Sequence, residues 1–183
     1  PDLPVMVSVT FDRGLRTLTG TDPETAAAIL GAAGADVIGT NCGTGPEDAL
    51  EIIRRMHEAC DLPLIVKPNA GLPSGIGAAA AHRLGPAEFA RWVPRLIEAG
   101  ASVVGGCCGT TPQHLREVAR CAAGLVPVAR GPVPGGSVAS ASRVVAFGPG
   151  LPARVIGERI NPSRRPDLQQ ALRERDWAVL ATE

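Results

Sequence analysis

AGADVIGTNCGTGP, residues 33–46, returns 66 residues later as AGASVVGGCCGTTP, residues 99–112, with nine of fourteen positions identical and no gap. Each copy runs from a glycine that stops a helix, through a short apolar stretch, to cysteine, glycine and a proline that opens the next helix. Outward from this pair, the same strand–helix alternation fills the first 124 residues. Strands are predicted at Pro4–Phe11, Asp36–Cys42, Leu62–Pro68 and Ser102–Cys108, each almost continuously hydrophobic. Such runs belong to parallel strands covered on both faces. Helices open at Pro23, Pro46, Pro86 and Pro112, where the missing proline N–H costs nothing. Asp22 and Thr111 suit N-caps, and Gly34, Gly100 and Gly124 stand where helices should stop. Leu50, Ile53, Met56 and Cys60 make one buried stripe, and Phe89, Val93, Leu96 and Ile97 another. Pro94 should kink the second of these helices.

An offset of 66 is two units of 33 residues, and alternate strands of a (β/α)8 barrel place side chains in one layer. Cys42 and Cys108 therefore hold the same place at the carboxyl end of alternate strands, the end where such barrels keep their chemistry. Four units are half of a barrel of roughly 250 residues. The expected fold is thus α/β, the C-terminal half of a TIM barrel over residues 1–124. Opening on Pro1 rather than Met fits a piece of a longer chain. Residues 125–153, with Pro127, Gly131, Pro132, Pro134, Gly135 and Gly136, read as a linker. Beyond it, a strand at Arg154–Ile156 and a helix at Pro166–Trp177 are expected to open a second α/β barrel, truncated, over residues 154–183.

Eighteen basic and eighteen acidic residues leave no net charge to attract nucleic acid or an anionic membrane. No apolar run approaches the roughly 18 residues of a membrane span, and no signal-peptide pattern opens the chain. A cytoplasmic setting is expected. Five cysteines, two of them adjacent, then point to metal binding rather than a disulfide framework.

Cys42, Cys107 and Cys108 are the metal candidates. In a regular strand, adjacent cysteines point to opposite faces. Gly105, Gly106 and Gly109 free the backbone to turn both sulfurs toward one point. Three thiolates leave a fourth zinc position open, as a catalytic site requires. Around Zn2+ they sum to a charge of −1, and a substrate thiolate makes −2, an electron-rich sulfur suited to taking an alkyl group. Small buried residues at strand ends, or a purely structural zinc, are the alternatives. Cys60 and Cys121 lie on helix faces and read as packing.

The motifs TFD…RTLTGTDPE from Thr10, IGTNCGTGPE from Ile38, VKPNAGLP from Val66 and GGCCGTTPQH from Gly105 resemble the homocysteine-binding barrel of the cobalamin-dependent methionine synthases. The G-x-N-C and G-G-C-C elements are shared more widely among homocysteine S-methyltransferases. VIGERINPS from Val155 is similar to the opening of a methionine synthase pterin-binding domain. The resemblance covers nearly the whole chain except the linker. It implies that Cys42, Cys107 and Cys108 bind zinc and act catalytically through it, with homocysteine sulfur as the fourth ligand. It implies methylcobalamin, carried on a cobalamin domain of the same parent chain, as methyl donor, and methyltetrahydrofolate as the source that reloads it. Betaine or a sulfonium donor, or a non-catalytic zinc-binding fragment, are the rival readings. The first half of the barrel and the cobalamin domain are not in this sequence, so activity is expected of the parent enzyme rather than of the fragment.

Asn41 precedes a ligand and orients it, or the substrate, or simply bonds the strand end. Thr10 and Asp12 close the first strand and line the substrate mouth or cap a loop. Glu158 and Asn161, three apart, match the first pterin-domain motif and face one ligand, or cap a turn. Lys67 and Asn69 end the third strand. The loop Gly71–Gly77 lacks the G-x-x-x-x-G-K-[ST] pattern of a phosphate cradle. His57, His82 and His114 lack ligand spacing.

Overall fold

The computed structural model describes residues 3–12, 14–43, 45–71, 84–133, 135–157 and 161–181, excluding the side chain of residue 180. Strands β1 (Met6–Val9), β2 (Val37–Asn41), β3 (Leu64–Lys67) and β4 (Ala101–Val104) form one parallel sheet in the order β1-β2-β3-β4. Helical crossovers α1 (Pro23–Ala32), α2 (Pro46–Ala59) and the pair α3 (Pro86–Ala90) and α4 (Val93–Glu98) join them. Helix α5 (Pro112–Ala122) follows β4. Ile38 of β2 pairs in register with Val7 and Leu64, and Asn41 with Lys67. The expected α/β class with a parallel sheet is therefore what the chain adopts; these strands do not close a barrel.

Burial separates inner from outer strands. Ile38, Leu64 and Val66 are fully buried, whereas Met6 of β1 is 57% exposed and Val103 of β4 is 38% exposed. The continuous apolar pattern fits the two inner strands as expected, while β1 and β4 are edges of this sheet. The core gathers Phe11, Ile38, Ile52, Ile53, Met56 and Leu64 between sheet and helices. Cys60 belongs to that core, and Cys121 packs on a second cluster around Phe89 and Val93.

Several expectations need correction. Every strand is shorter than its apolar run, and β4 ends at Val104, so Cys107 and Cys108 lie beyond it. Gly105 and Gly106 leave the pleat, and the chain turns at Cys108–Gly109. The helix expected from Pro86 is two helices broken at Arg91–Trp92. Pro94 has no N–H for the carbonyl four residues back, so the second helix starts afresh around it. Asp22 caps α1 as expected, accepting the Thr25 N–H at 2.9 Å.

The expected linker is not featureless. β5 (Gly136–Ala139) and β6 (Val144–Phe147) form an antiparallel hairpin that packs against α1. The Thr21 hydroxyl donates to the Ala141 carbonyl at 2.5 Å. Arg130 donates through its two guanidinium nitrogens to the carbonyls of Leu62 and Gly100, just ahead of β3 and β4. Proline and glycine hid this because their backbone limits say nothing about a strand pair between them.

Pro1–Pro149 is one compact unit and Gly150–Glu183 another. In the second, the strand expected at Arg154–Ile156 is absent: residues 152–157 carry no regular structure. The helix expected at Pro166–Trp177 is α6 (Pro166–Glu174), followed after the left-handed Arg175 by α7 (Trp177–Ala181). Arg165 forks onto Asp167 with contacts of 3.1 and 2.7 Å. Among the described residues no helix is long and apolar enough to cross a membrane.

Candidate metal centre

The chain leaves β2 at Cys42 in the left-handed conformation, φ 59°, followed by Gly43 at φ 60°. A side chain on Gly43 would begin 1.8 Å from the Phe11 carbonyl oxygen, so only glycine fits there. The Cys42 N–H donates to Lys67 O at 3.1 Å, which carries the β2–β3 pairing one residue beyond the strands.

The second cysteine segment is laced to the continuation of β3. Gly105 N–H donates to Val66 O, Cys107 N–H to Pro68 O and Ala70 N–H to Cys108 O, each at 2.9 Å. Cys108 N–H donates to Asn69 Oδ1 at 3.0 Å, and the Thr110 hydroxyl donates to Cys107 O at 2.6 Å. Asn69 is only 2% exposed, and its Nδ2 has no hydrogen-bond partner. Because the pleat has ended, consecutive cysteines are free to turn their sulfurs to one side.

They meet Cys42. Its sulfur lies 3.3 Å from that of Cys108 and 3.4 Å from that of Cys107, and all three lie within 4.8 Å of one another. Zinc bonded to sulfur at about 2.3 Å in a tetrahedron puts its sulfurs about 3.8 Å apart. The three sulfurs are thus spaced to share one ion, and soft thiolates are the donors zinc takes. Cys42 and Cys107 are half-buried while Cys108 is exposed, so the cluster has an open side.

Electrostatics inside the trio are uneven. Hydrogen bonds from Cys108 and then Cys107 hold the Cys42 thiol below its usual range. Its hydrogen bond to Cys42, then that to Cys107, pushes the Cys108 thiol up to about 11. One negative charge among three close sulfurs opposes the next. A divalent cation reverses that penalty, since all three ligands then ionise together.

Asn41 stands beside the trio: its Nδ2 is 4.0 Å from Cys107 Sγ, within hydrogen-bond range for sulfur, and its Oδ1 accepts from the Ser8 hydroxyl at 2.7 Å. Thr10 shares the rim, its methyl 3.4 Å from where a Gly43 side chain would begin. Asp12 shapes the loop after β1, accepting the Gly14 N–H at 2.9 Å on Oδ1 and the Leu15 N–H at 2.9 Å on its carbonyl. Asn161, in the second unit, accepts the Ser163 N–H at 3.0 Å as a local turn. Glu158, His82 and most of the loop Gly71–Gly77 lie outside the described residues. His114 is buried; its Nδ1 receives the Thr111 N–H at 3.2 Å and its Nε2 donates to Leu84 O at 2.9 Å, a packing and capping role. His57 packs against Gly100. Ser8 escaped the sequence reading, although a hydroxyl in an otherwise apolar run was its signal.

Known proteins resemble this chain over most of its length. The chain is 38% identical over 181 residues to the methionine synthase of Mycobacterium leprae, covering 96% of this chain and 15% of that protein. It is 36% identical over 176 residues to the methionine synthase of Mycobacterium tuberculosis, with the same coverage of 96% and 15%. The chain therefore spans about 15% of the length of these curated relatives. Among solved structures, the homocysteine methyltransferase MmuM of Escherichia coli matches in its metallated form with a TM-score of 0.50 and 26% identity, over 63% of this chain and 34% of that one. Its apo form matches with a TM-score of 0.51 and 25% identity, over 64% and 39%. Residues 1–122 match the family model of homocysteine S-methyltransferases, and the chain belongs to that family.

Proposed function

We propose that this chain is part of a methionine synthase, a zinc-dependent enzyme that moves a methyl group onto the thiol of homocysteine. The observation that carries this is the convergence of three sulfurs from two separate loops within 4.8 Å. Residues 1–124 are the C-terminal half of a homocysteine-binding (β/α)8 barrel, 125–153 connect, and 154–183 begin a pterin-binding domain. The edge positions of β1 and β4 support this, because an open edge calls for another strand.

Cys42, Cys107 and Cys108 hold Zn2+, which when bound supplies the charge that keeps a substrate thiol deprotonated at neutral pH. The open side at Cys108 admits homocysteine sulfur. Asn69 fixes the Cys108 backbone, and Asn41 steadies the Cys107 sulfur. Thr10 and Asp12, on the rim after β1, meet the polar end of the amino acid. In the overall transfer the substrate sulfur loses its proton and gains the methyl group, while the bond from methyl to donor breaks. The donor is methylcobalamin on a cobalamin domain of the parent chain, reloaded from methyltetrahydrofolate through a pterin site that includes Glu158 and Asn161. The setting is cytoplasmic.

Metal analysis of the purified protein tests the ligand assignment. Stoichiometric zinc that disappears in the Cys42→Ser, Cys107→Ser, Cys108→Ser triple variant is expected; zinc retained there refutes it. Calorimetry should then find homocysteine binding that depends on the metal.

A further inference from the structure

We infer that Ser8 is a positioning residue for the metal centre, acting through Asn41 on the Cys107 sulfur; this rests on the metal reading above. The orientation of the Asn41 amide follows from hydrogen-bond roles. A thiolate accepts and does not donate, so the amide NH2 must face Cys107 Sγ, 4.0 Å away. Oδ1 then faces Ser8, whose hydroxyl donates to it at 2.7 Å. The sheet makes room for this link. Ser8 pairs in register with Gly39, and side chains two residues apart share a face, so Ser8 reaches Asn41 diagonally across the bare Gly39. Gly39 in turn cannot be filled, since a Cβ there would lie 1.8 Å from the Ile65 carbonyl oxygen.

Hydrogen-bond donors to a metal-bound sulfur fix its direction and draw off part of its charge. Without the Ser8 hydroxyl, Asn41 Oδ1 loses its donor and the amide is free to rotate its N–H away from Cys107. Loss of such outer partners weakens metal affinity about 10- to 100-fold.

Ser8→Ala, Ser8→Val and Ser8→Thr separate the hydroxyl from its shape, since valine and threonine match in outline and only threonine keeps the donor. Zinc affinity is read by competition with a chromophoric chelator, and the sulfur-to-cobalt charge-transfer band by absorption of the Co2+ form. Ser8→Ala and Ser8→Val should both lose affinity by about 10-fold or more and shift the band, with Ser8→Thr restoring both. A role in strand stability alone would leave the band where it is. If the unsubstituted protein takes up neither ion, the metal reading and this inference both fall. If it does, and Ser8→Ala and Ser8→Val match it in affinity and band, only the inference falls.

Discussion

Gly43→Ala asks whether the close approach of the β2 turn to Phe11 is what sets the cysteine geometry. Two costs are read from the structure. Gly43 has φ 60°, where an L side chain costs roughly 1–2 kcal/mol. Its Cβ would also sit 1.8 Å from Phe11 O and 3.0 Å from Phe11 C. Phe11 is only 1% exposed, so the backbone must part in a packed core, adding roughly 1–3 kcal/mol. Together these give about 2–5 kcal/mol, or a fall in Tm on the order of 10 °C at about 2–4 °C per kcal/mol. Gly34→Ala is the matched control: Gly34 has φ 88° but open space around its Cβ position. It should show only the conformational part, about 1–2 kcal/mol. Urea unfolding and chelator competition on both variants are the assays. Because Cys42 is adjacent and itself left-handed, Gly43→Ala should weaken metal binding while Gly34→Ala leaves it unchanged. Equal stability losses in the two variants would refute the steric account. A stability loss with unaltered metal affinity would refute the link from this turn to the sulfur cluster.

Metal affinity should rise with pH, at least tenfold per pH unit through the neutral range, because ion binding displaces thiol protons. The Cys108 thiol, pushed up to about 11, stays protonated in the metal-free protein until that value, while the lowered Cys42 thiol stops contributing first. A flat profile in chelator competition would contradict this. Arg130→Ala should destabilise the first unit by about 1–3 kcal/mol, since the carbonyls of Leu62 and Gly100 lose their shared donor. Arg130→Lys should recover little of that loss, as an ammonium is not a planar fork. His57 is held below its usual pKa by burial and then by Arg130. Its NMR titration midpoint should therefore move upward once Arg130 is Ala; an unmoved midpoint would deny the proximity.

Much of the fold was legible because it rests on local rules. Proline at each helix start, Asp22 as a cap and glycine at helix ends act within a few residues, so α1, α2 and α5 begin where the chain says they must. The apolar runs marked all four strands, and the repeat around Cys42 and Cys108 marked equivalent turns. Their lengths were not legible, because apolar residues at Pro4 or Leu62 continue a run without finding a ladder partner. The hairpin β5–β6 was missed for the same reason in reverse: β5 is exposed and β6 is half-buried only at Val144 and Val145, so burial left no alternating pattern to read.

By itself the sequence determined the alternation of four strands with helices over the first 124 residues, the equivalence of two cysteine turns and the family. Only the tertiary structure decided that sulfurs 66 residues apart approach to 3.3 Å. It also decided that Ser8 reaches Asn41 and that Arg130 seals two strand entrances. Periodicity and capping are properties of neighbours along the chain. Sulfur–sulfur distance and the facing of an amide depend on sheet register and on where a side chain is missing, and those exist only once the strands have paired.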